Sequence, residues 1–394
     1  MNTQKISPIM ETYSRFDVSM SFGEGCWLFD EKGDKYLDAL SGIAVNTLGH
    51  CHPKFTSALS DQIKKLVHTS NLYKIPLQEK LAQKLTEISS LNSVFFCNSG
   101  LEANEAAIKI ARKHGNRLGY SKPKIIVFEK SFHGRSLATI SASANPLIQK
   151  GFEPLLEGFV RVPLNNIEVF NEISKSQNEI CAVFLETIQG EGGINLTHNN
   201  YLPLLRKICS ENNWLLILDE VQCGMGRTGK WFAYQWENIQ PDVVPLAKGL
   251  GSGIPIGAVI TNETCGKLMG PGSHGTTFGG NPFAMRAGIE TLKIIEDENL
   301  MKNAVARGKQ IFDSLNDAFF KNKEIVNIRG RGLMIGIEVK KPCKELARVA
   351  LKKGLLINVT ESNVIRLLPP LIISKNEVEI LTNRLIPIIK EFIS

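Results

Sequence analysis

The sequence has 394 residues, of which 43% are hydrophobic and 22% are charged, and this balance indicates a globular protein with a large core. Its formal net charge of +7 comes from 46 basic and 39 acidic residues spread along the chain, which excludes a basic stripe for nucleic acid. The eight cysteines contain no CxxC pair, and no long uncharged apolar stretch is present, so we expect a cytoplasmic protein without a membrane partner.

The first predicted element is a β-hairpin in GCWLFDEKGDKYLDA, residues 25–39, where two apolar strands flank a DEKGD turn. This hairpin lies outside the run of strands that follows it. We assign it to an N-terminal segment, residues 1–47, and expect this segment to pack with the C-terminal domain.

Between residues 94 and 260, short apolar runs alternate with helical patterns. The runs are SVFFCN, PKIIVFEK, EGFVRVPL, ICAVFLET, NWLLILDE, PDVVPLAK and IPIGAVIT. Because they are continuous rather than alternating, they predict a mainly parallel sheet covered by helices, in an α/β domain over residues 48–283. Longer amphipathic helices with two glycine-rich breaks then predict a smaller α+β domain over residues 284–394.

The segment CNSGLEANEAAIKIARKHG, residues 97–115, predicts a strand end, a turn and a helix. Ser99 and Glu102 fit a capping box, and Gly115 fits a C-terminal stop. The free N–H groups at such a helix start suit a phosphate. Any well-capped helix has the same features, so the segment alone leaves both interpretations open.

The segment FEKSFHGRSLAT, residues 128–139, places an aromatic ring, a histidine and an arginine close together after a strand. The ring of Phe132 can stack on a flat ligand, and the guanidinium of Arg135 can bind a carboxylate through two parallel bonds. We interpret His133 as a hydrogen-bonded structural histidine, because the seven histidines are too scattered to predict a metal site.

Two further strands end in carboxylates and amides. FLETIQGEGGINL, residues 184–196, ends with Glu186 and Glu191 among glycines, which fits either a solvated exit from the sheet or the rim of an active site. LLILDEVQCGMGRTGKW, residues 215–231, brings Asp219 to the carboxyl end of a strand, where open α/β sheets bind ligands. A structural aspartate bonded to local backbone is the alternative.

The segment PDVVPLAKGLGSGIPIGAV, residues 241–259, contains one basic residue, Lys248, between an apolar strand and a glycine-rich turn. Burial lowers the pKa of a lysine amine and prepares it for covalent chemistry with carbonyl groups. A dinucleotide loop is the competing interpretation of GLGSG, but its last glycine is misplaced and no helix is predicted after it.

These motifs follow one another in an order and spacing that resembles the class-III, fold-type I aminotransferases, which use pyridoxal phosphate. Within that family they look most like acetylornithine aminotransferases, in the segments SGIAVNTLGHCHP, CNSGLEANEAAIKIAR, FHGR, ETIQGEGG, LDEVQCGMGRTGK, AKGLGSGIPIGA and HGTTFGGNP. The resemblance covers nearly the whole chain. It implies the fold-type I architecture, with a large domain built on a mainly parallel sheet and a smaller α+β domain.

The resemblance also implies how the cofactor is held. Lys248 would carry the cofactor covalently and move a proton at the substrate, and Asp219 would keep the pyridine nitrogen protonated. The implied cofactor-binding residues are Ser99, Gly100, Leu101, Phe132, Asp219, Gln222, Lys248 and Thr277. The family often has a small or hydroxylated residue in place of Leu101, so only its main chain is expected to contribute. Thr277 would reach the phosphate of a neighbouring subunit, which implies a homodimer with shared active sites.

For the substrates, the resemblance implies a pocket formed by Arg135, Glu191, Arg366, Ile43 and Thr276. Glu191 would pair with Arg366 and release it for the carboxylate of glutamate or 2-oxoglutarate, while Arg135 would bind the remote carboxylate. The implied reaction transfers the δ-amino group of N2-acetylornithine to 2-oxoglutarate in arginine biosynthesis, because an apolar Ile43 suits an acylated nitrogen better than a free ammonium. Ornithine, 4-aminobutyrate and succinyldiaminopimelate remain alternative donors. A catalytically silent relative, a nicotinamide-dependent dehydrogenase and a mutase are the alternative functions.

Overall fold

The computed structural model describes residues 8–394, so the first part of the predicted segment 1–47 lies outside the described residues. The strands are β1 (Met20–Glu24), β2 (Trp27–Asp30), β3 (Lys35–Asp38), β4 (Ser93–Cys97), β5 (Lys124–Phe128), β6 (Phe159–Val162), β7 (Ile180–Glu186), β8 (Ile188–Gln189), β9 (Asn195–Leu196), β10 (Leu215–Asp219), β11 (Val243–Leu246), β12 (Gly257–Thr261), β13 (Ile325–Arg331), β14 (Met334–Val339), β15 (Leu355–Leu356), β16 (Asn358–Thr360) and β17 (Val364–Leu367).

The helices are α1 (Ser41–Ala44), α2 (Pro53–Ile63), α3 (Pro76–Ser89), α4 (Gly100–Arg117), α5 (Leu137–Ala142), α6 (Pro146–Gln149), α7 (Ile167–Ser176), α8 (Tyr201–Glu211), α9 (Glu263–Leu268), α10 (Pro282–Asp297), α11 (Leu300–Ala318), α12 (Leu346–Lys352) and α13 (Lys375–Ile393). Short 3-10 turns lie at Ala233–Glu237 and Lys248–Leu250. Within residues 8–394, no helix has both the length and the apolar character that crossing a bilayer requires.

The central sheet contains seven strands in the order β4, β12, β11, β10, β7, β5, β6, and these are the seven predicted apolar runs. Neighbouring strands from β11 to β6 are parallel, which confirms the α/β prediction. The strand β12 is antiparallel to both of its neighbours. Its connection from β11 spans only residues 247–256, and a parallel crossover needs roughly a dozen residues or more.

Helices cover both faces of this sheet. The buried alanine and isoleucine side chains of α4, such as Ala107 and Ile110, pack on one face with Ile125 and Ile217. On the other face, α3, α8 and α10 contribute to a second core around Leu218. These two layers fix the carboxyl ends of the parallel strands and the start of α4 at one edge of the sheet.

The C-terminal lobe has a four-stranded antiparallel sheet in the order β13, β14, β17, β16. The predicted hairpin is confirmed as β2 and β3, and β3 pairs in parallel with β15, so residues 27–38 pack with this lobe. The helix α10 contributes Met285 to the core of the large lobe and Ile294 to the core of the small lobe. The proposed boundary at residue 283 therefore falls within a helix that joins both cores, and the three domain limits stay a prediction.

The start of α4 follows the predicted cap, because the Ser99 hydroxyl accepts a hydrogen bond from the Glu102 N–H at 3.2 Å. The predicted stop at Gly115 is wrong, since the helix continues to Arg117. A Cβ on Gly115 would lie 3.0 Å from the Cβ of Cys181, so this glycine permits the helix to approach the sheet closely.

Candidate active site

A cavity of about 220 Å³ lies where the carboxyl ends of β7, β10 and β11 meet the start of α4. Most of the predicted cofactor residues line it, together with residues that the sequence did not single out. The lining residues are Gly100, Leu101, Asn104, Phe132, His133, Gly134, Arg135, Glu186, Asp219, Val221, Gln222 and Lys248. Segments separated by up to about 150 residues in the sequence therefore converge on one small site, as expected for open α/β sheets.

Asp219, the last residue of β10, is only 3% exposed. One of its carboxylate oxygens, Oδ2, accepts hydrogen bonds from Asn104 Nδ2 and His133 Nδ1, both at 2.8 Å. The other oxygen, Oδ1, accepts from the Val221 N–H at 2.9 Å. A carboxylate held by three donors keeps a fixed orientation, and it has acceptor capacity left for a donor in the cavity.

Asn104 and the contact between His133 and Asp219 were not predicted from the sequence. His133 stacks on Phe184, with ring centroids 3.9 Å apart. Neither Asn104 Oδ1 nor His133 Nε2 has a hydrogen-bond partner among residues 8–394. Asn104 lies on the buried face of α4 among alanine and isoleucine residues, and a polar residue on that apolar face is the signal that could have identified it.

The first turn of α4 forms one wall of the cavity. The Ser99 hydroxyl caps the helix itself, and the N–H groups of Gly100 and Leu101 donate to no acceptor within residues 8–394. A Cβ on Gly100 would lie 2.6 Å from Val221 Cγ1, so a larger residue would push this turn away from the end of β10. Free N–H groups at the positive end of a helix suit an anion such as a phosphate.

Lys248 follows β11 in a backbone conformation with φ 44°, which is unfavourable for a residue with a side chain. Its amine opens into the cavity and forms no hydrogen bond with residues 8–394. Burial lowers the pKa of this amine, the nearby Glu191 carboxylate opposes that shift, and Arg366 adds to it. A lowered pKa increases the fraction of the amine that is neutral and nucleophilic near pH 7.

Glu186 connects two segments of the site. Its carboxylate accepts hydrogen bonds from the Phe132 N–H at 2.8 Å and from the Gly190 N–H at 2.9 Å. Burial, followed by the nearby Asp219 carboxylate, raises the pKa of Glu186 to about 8.

Arg135 is exposed at the mouth of the cavity. Its guanidinium carbon lies 5.8 Å from the Phe132 ring centre, and it forms no ion pair within residues 8–394.

Glu191 and Arg366 form an ion pair, with Arg366 Nη1 2.7 Å from Glu191 Oε1. The same Nη1 donates to Gln222 Oε1 at 3.2 Å, and Arg366 Nε donates to Asn358 at 3.1 Å. Arg366 Nη2 is buried without a partner among residues 8–394. A buried guanidinium with an unused N–H donor can donate to a further oxygen, such as that of a carboxylate.

Ile43 lies in a left-handed turn, because Ser41, Gly42, Ile43 and Ala44 all have positive φ values. Such a conformation is costly for a β-branched residue, so the surrounding structure must hold it in place. Ile43 packs in a cluster with Ile188 and Ile194, on either side of Glu191 in the sequence.

Thr276 and Thr277 do not line this cavity. The Thr276 hydroxyl accepts hydrogen bonds from Asn98 Nδ2 and from the Gly279 N–H, both at 3.2 Å. Thr277 is exposed in the single chain. A residue that contacts a second subunit would also be exposed when that subunit is absent. Their predicted roles in substrate and phosphate binding therefore stay predictions.

The residues that line the cavity match the chemical groups of pyridoxal phosphate. Free amides at a helix start suit the phosphate, the Phe132 ring suits a flat heterocycle, and the open acceptor capacity of Asp219 suits a protonated pyridine nitrogen. The Lys248 amine suits the aldehyde. No group of three or more metal-ligating side chains in residues 8–394 is arranged to bind a metal ion.

Comparisons with known proteins identify relatives over nearly the whole chain. A model of the class-III aminotransferase family matches residues 10–389. An acetylornithine aminotransferase from Nitrosomonas europaea is 53% identical over 95% of this chain and 95% of its own length. One from Aquifex aeolicus is 46% identical over 98% of this chain and 99% of its own length.

Solved structures of two kinds are similar to this fold. The ornithine aminotransferase of Toxoplasma gondii superposes with a TM-score of 0.94 at 32% identity, over 98% of this chain and 93% of that one. The N-acetylornithine aminotransferase of Stenotrophomonas maltophilia superposes with a TM-score of 0.83 at 34% identity, over 96% of this chain and 97% of that one.

Proposed function

This chain belongs to the class-III aminotransferases, which use pyridoxal phosphate, and we propose that its amino donor is N2-acetylornithine. The δ-amino group is transferred to 2-oxoglutarate, which gives N-acetylglutamate 5-semialdehyde and glutamate, a step of arginine biosynthesis. The two half-reactions occur in turn in the same pocket, in a ping-pong cycle.

The pairing of Glu191 with Arg366 is the observation that carries this proposal. The amino donor reacts at a terminal CH2–NH2 group, which has no carboxylate beside it, whereas 2-oxoglutarate reacts at a carbon that bears one. One pocket must therefore present a cation to 2-oxoglutarate and neutralise the same cation when the amino donor is bound. A buried arginine with a carboxylate partner that can be displaced meets both needs.

When bound, pyridoxal phosphate supplies a ring that accepts the electron pair left by a broken C–H bond. Lys248 would hold the cofactor covalently. The N–H groups of Gly100 and Leu101, at the helix start capped by Ser99, would hold its phosphate. Asp219 would hold a proton on the ring nitrogen, Phe132 would cover the ring, and Gln222 would lie near its hydroxyl.

Lys248 would also act as the general base of the reaction. Burial lowers the pKa of its amine, so the neutral amine would be able to remove a proton from the reacting δ-carbon of the substrate. The fixed partners of Asp219 help in a different way. Because Asn104 and His133 already donate to Oδ2, the Asp219 carboxylate would keep one orientation when it binds the ring nitrogen.

Arg135 and Arg366 would bind different carboxylates of the two substrates. Arg135, exposed at the cavity mouth and free of an ion pair within residues 8–394, would bind the carboxylate remote from the reacting amine in N2-acetylornithine. With 2-oxoglutarate, Arg135 would bind the distal carboxylate. Glu191 would release Arg366, and Arg366 would bind the carboxylate beside the reacting carbon. Thr276 is the remaining proposed contact to substrate.

The similarity to solved ornithine aminotransferases makes free ornithine the second candidate donor. Ile43 argues against it, because an apolar side chain suits an acylated nitrogen and offers no partner to a free ammonium. 4-Aminobutyrate and succinyldiaminopimelate are further donors to compare.

We also propose a cytoplasmic homodimer with shared active sites. All eight cysteines are unpaired thiols, and seven of them are buried, as expected in a reducing compartment. The exposed Thr277 would contact the phosphate bound by the partner subunit.

The proposal is tested by donor competition. The enzyme loaded with pyridoxal phosphate is given each donor with 2-oxoglutarate, and glutamate formation is measured. We expect kcat/KM for N2-acetylornithine to exceed that for ornithine at least about tenfold, because a single misplaced ammonium costs that much or more. A preference for ornithine would make the second candidate correct.

The Lys248→Ala variant is the negative control for chemistry. It should remain folded by circular dichroism and lose turnover with every donor. Turnover retained in this variant would contradict the role assigned to Lys248 and with it the proposed mechanism.

A further inference from the structure

One row of the small-lobe sheet faces the segment that contains Glu191. Across the four strands, Arg329 of β13 lies opposite Gly336 of β14, Gly336 opposite Arg366 of β17, and Arg366 opposite Asn358 of β16. Residues opposite one another in neighbouring strands share one face of a sheet. The row therefore presents two arginines on the same face, two strands apart, with a glycine between them.

The residues 190–194, here called the Glu191 loop, lie against this row. Arg329 Nε donates to the Gly193 and Ile194 carbonyl oxygens at 3.1 and 3.0 Å, and its Nη2 donates to Gly193 at 2.6 Å. The remaining nitrogen, Nη1, pairs with Glu338. The planar guanidinium thus fixes the loop main chain on one side and is itself fixed by a carboxylate on the other.

Two more contacts bind the same loop to the same sheet. The Thr360 hydroxyl donates to the Glu191 carbonyl oxygen. Ile194 lies over Gly336, where an added Cβ would be 3.0 Å from the Ile194 Cβ. The loop is therefore held through its carbonyl groups and through Ile194, while the Glu191 side chain is left free to pair with Arg366.

The loop also borders a polar cleft of about 680 Å³, lined by Gln189, Gly192, Arg329, Glu338 and Glu361 among others. The Glu191 side chain is 35% exposed, whereas that of Arg366 is fully buried. When the ion pair opens, the side chain that can move is therefore Glu191.

We propose that Arg329 is a positioning residue for the Glu191–Arg366 pair. It holds the main chain of the Glu191 loop on the small lobe, so that the pair opens and closes by rotation of the Glu191 side chain alone. This inference rests on the proposed function, in which Arg366 is covered for the amino donor and uncovered for 2-oxoglutarate. It adds a residue that contacts neither substrate and decides how often the cation is covered.

The test compares the two substrates in the Arg329→Met variant of the holoenzyme. With the loop released, Glu191 covers Arg366 for less of the time. We expect KM for the amino donor to rise about tenfold, the loss expected from removing hydrogen bonds of a charged donor, while KM for 2-oxoglutarate stays unchanged or falls. A change of both KM values by the same factor would overturn the proposal, because a purely structural role affects both half-reactions alike.

Arg331→Met is the matched control. Arg331 lies two residues further along β13, is half-buried, and pairs with Glu237 at 3.6 Å away from the Glu191 loop. This variant should leave the ratio of the two KM values as in the wild type. A shift equal to that of Arg329→Met would mean that any lost charge on this strand changes the ratio.

A double-mutant cycle identifies the partner through which Arg329 acts. In a Glu191→Ala background the carboxylate is gone, so Arg329→Met should produce no further change in the KM ratio. A further change of the same size would show that Arg329 acts independently of Glu191 and would overturn the proposal. Hydrogen–deuterium exchange of the Glu191 loop should be faster in Arg329→Met and unchanged in Arg331→Met, which requires no turnover.

Failure of the proposed function gives a different result. If the wild type prefers ornithine to N2-acetylornithine, the donor assignment is wrong, and the cycle is repeated with the donor that the enzyme accepts. The role of Arg329 is then tested by the ratio of KM for that donor to KM for 2-oxoglutarate.

Discussion

Lys248 combines a strained backbone with an amine whose pKa is lowered by burial. In the cofactor-free protein this amine reduces stability at neutral pH. Between its lowered value and 10.5, the unfolded chain binds more protons than the folded one at this site, so its contribution to the free energy of unfolding decreases as pH falls. Replacing Lys248 by methionine removes this dependence.

We therefore expect cofactor-free Lys248→Met to melt at a higher temperature than the wild type at pH 7, with a difference that shrinks as pH rises towards 10. At a pH below the lowered pKa, the difference in the free energy of unfolding should be about 1.4 kcal/mol for each unit by which the pKa is lowered. Melting temperatures over a series of pH values measure it. Lys302→Met, at an exposed position on α11, is the control for the loss of one lysine charge. A pH-independent difference at Lys248 would contradict the lowered pKa.

At the scale of single residues, the sequence was informative where a charge interrupts an apolar pattern. Asp219 is the last residue of one buried strand and Lys248 follows another, and a charged residue at such a strand end predicts a ligand site. Asn104 follows the same rule on a helix, but its partner Asp219 is 115 residues away, so only the folded chain shows what it binds. The left-handed backbone at Ile43 has no local signal, because a β-branched residue predicts the opposite conformation.

Among the elements, the Glu191 loop shows why its glycines are needed. A Cβ on Gly192 would collide with the Lys130 carbonyl oxygen, which is main chain and cannot move aside easily. The three atoms nearest to a Cβ on Gly190 would all belong to the end of the Gln222 side chain, which can rotate. Two glycines in one loop are thus required for different reasons.

Alanine variants of Gly190 and Gly192 should distinguish contact with a side chain from contact with the main chain. Gly192→Ala should lower the free energy of unfolding in urea by about 1–3 kcal/mol, the usual cost of overpacking. Gly190→Ala should cost less stability but displace Gln222, which accepts a hydrogen bond from Arg366 at 3.2 Å, and so lower kcat/KM for 2-oxoglutarate. Equal losses of stability in the two variants would show that Gln222 is as fixed as the main chain.

The elements themselves followed the sequence closely where apolar runs are continuous. All seven runs became strands of one sheet. The inner strands β12, β11, β10, β7 and β5 are almost entirely buried, and the edge strands β4 and β6 are buried in part. The reversal of β12 depends on the length of its connection to β11 rather than on its residues. Gly115 was mistaken for a stop because close packing and chain termination both require glycine.

At the scale of the molecule, residues far apart in sequence form each lobe. Leu37 of β3 pairs with Leu355 of β15, and both belong to the core of the small lobe. The sequence predicted β3 as part of the hairpin but did not predict β15, and the pairing between these distant segments depends on the shared core. The expectation that the N-terminal segment packs with the C-terminal domain came from the position of the hairpin outside the run of strands, and no local pattern identified the strand with which it pairs.

An exposed apolar patch follows α2 and reaches the loop that contains Thr277. Its members are Ile63, Leu66, Val67, Leu72, Tyr73 and Phe278. Contiguous exposed apolar side chains mark interaction surfaces, and a symmetric dimer would cover this patch with its copy. If the proposed homodimer forms here, Thr277 of each chain lies at the interface, where it can reach the site of the other.

Heterodimers test this sharing directly. Lys248→Ala and Thr277→Arg chains with different tags are co-expressed, and the mixed dimer is purified. If each site takes Lys248 from one chain and Thr277 from the other, one of the two sites has both defects and the second has none. The mixed dimer should then have about half the wild-type activity, although each parent homodimer is inactive. If Thr277 acts in the site of its own chain, both sites of the mixed dimer are defective and no activity returns. Recovery of no mixed dimer at all would contradict the homodimer itself.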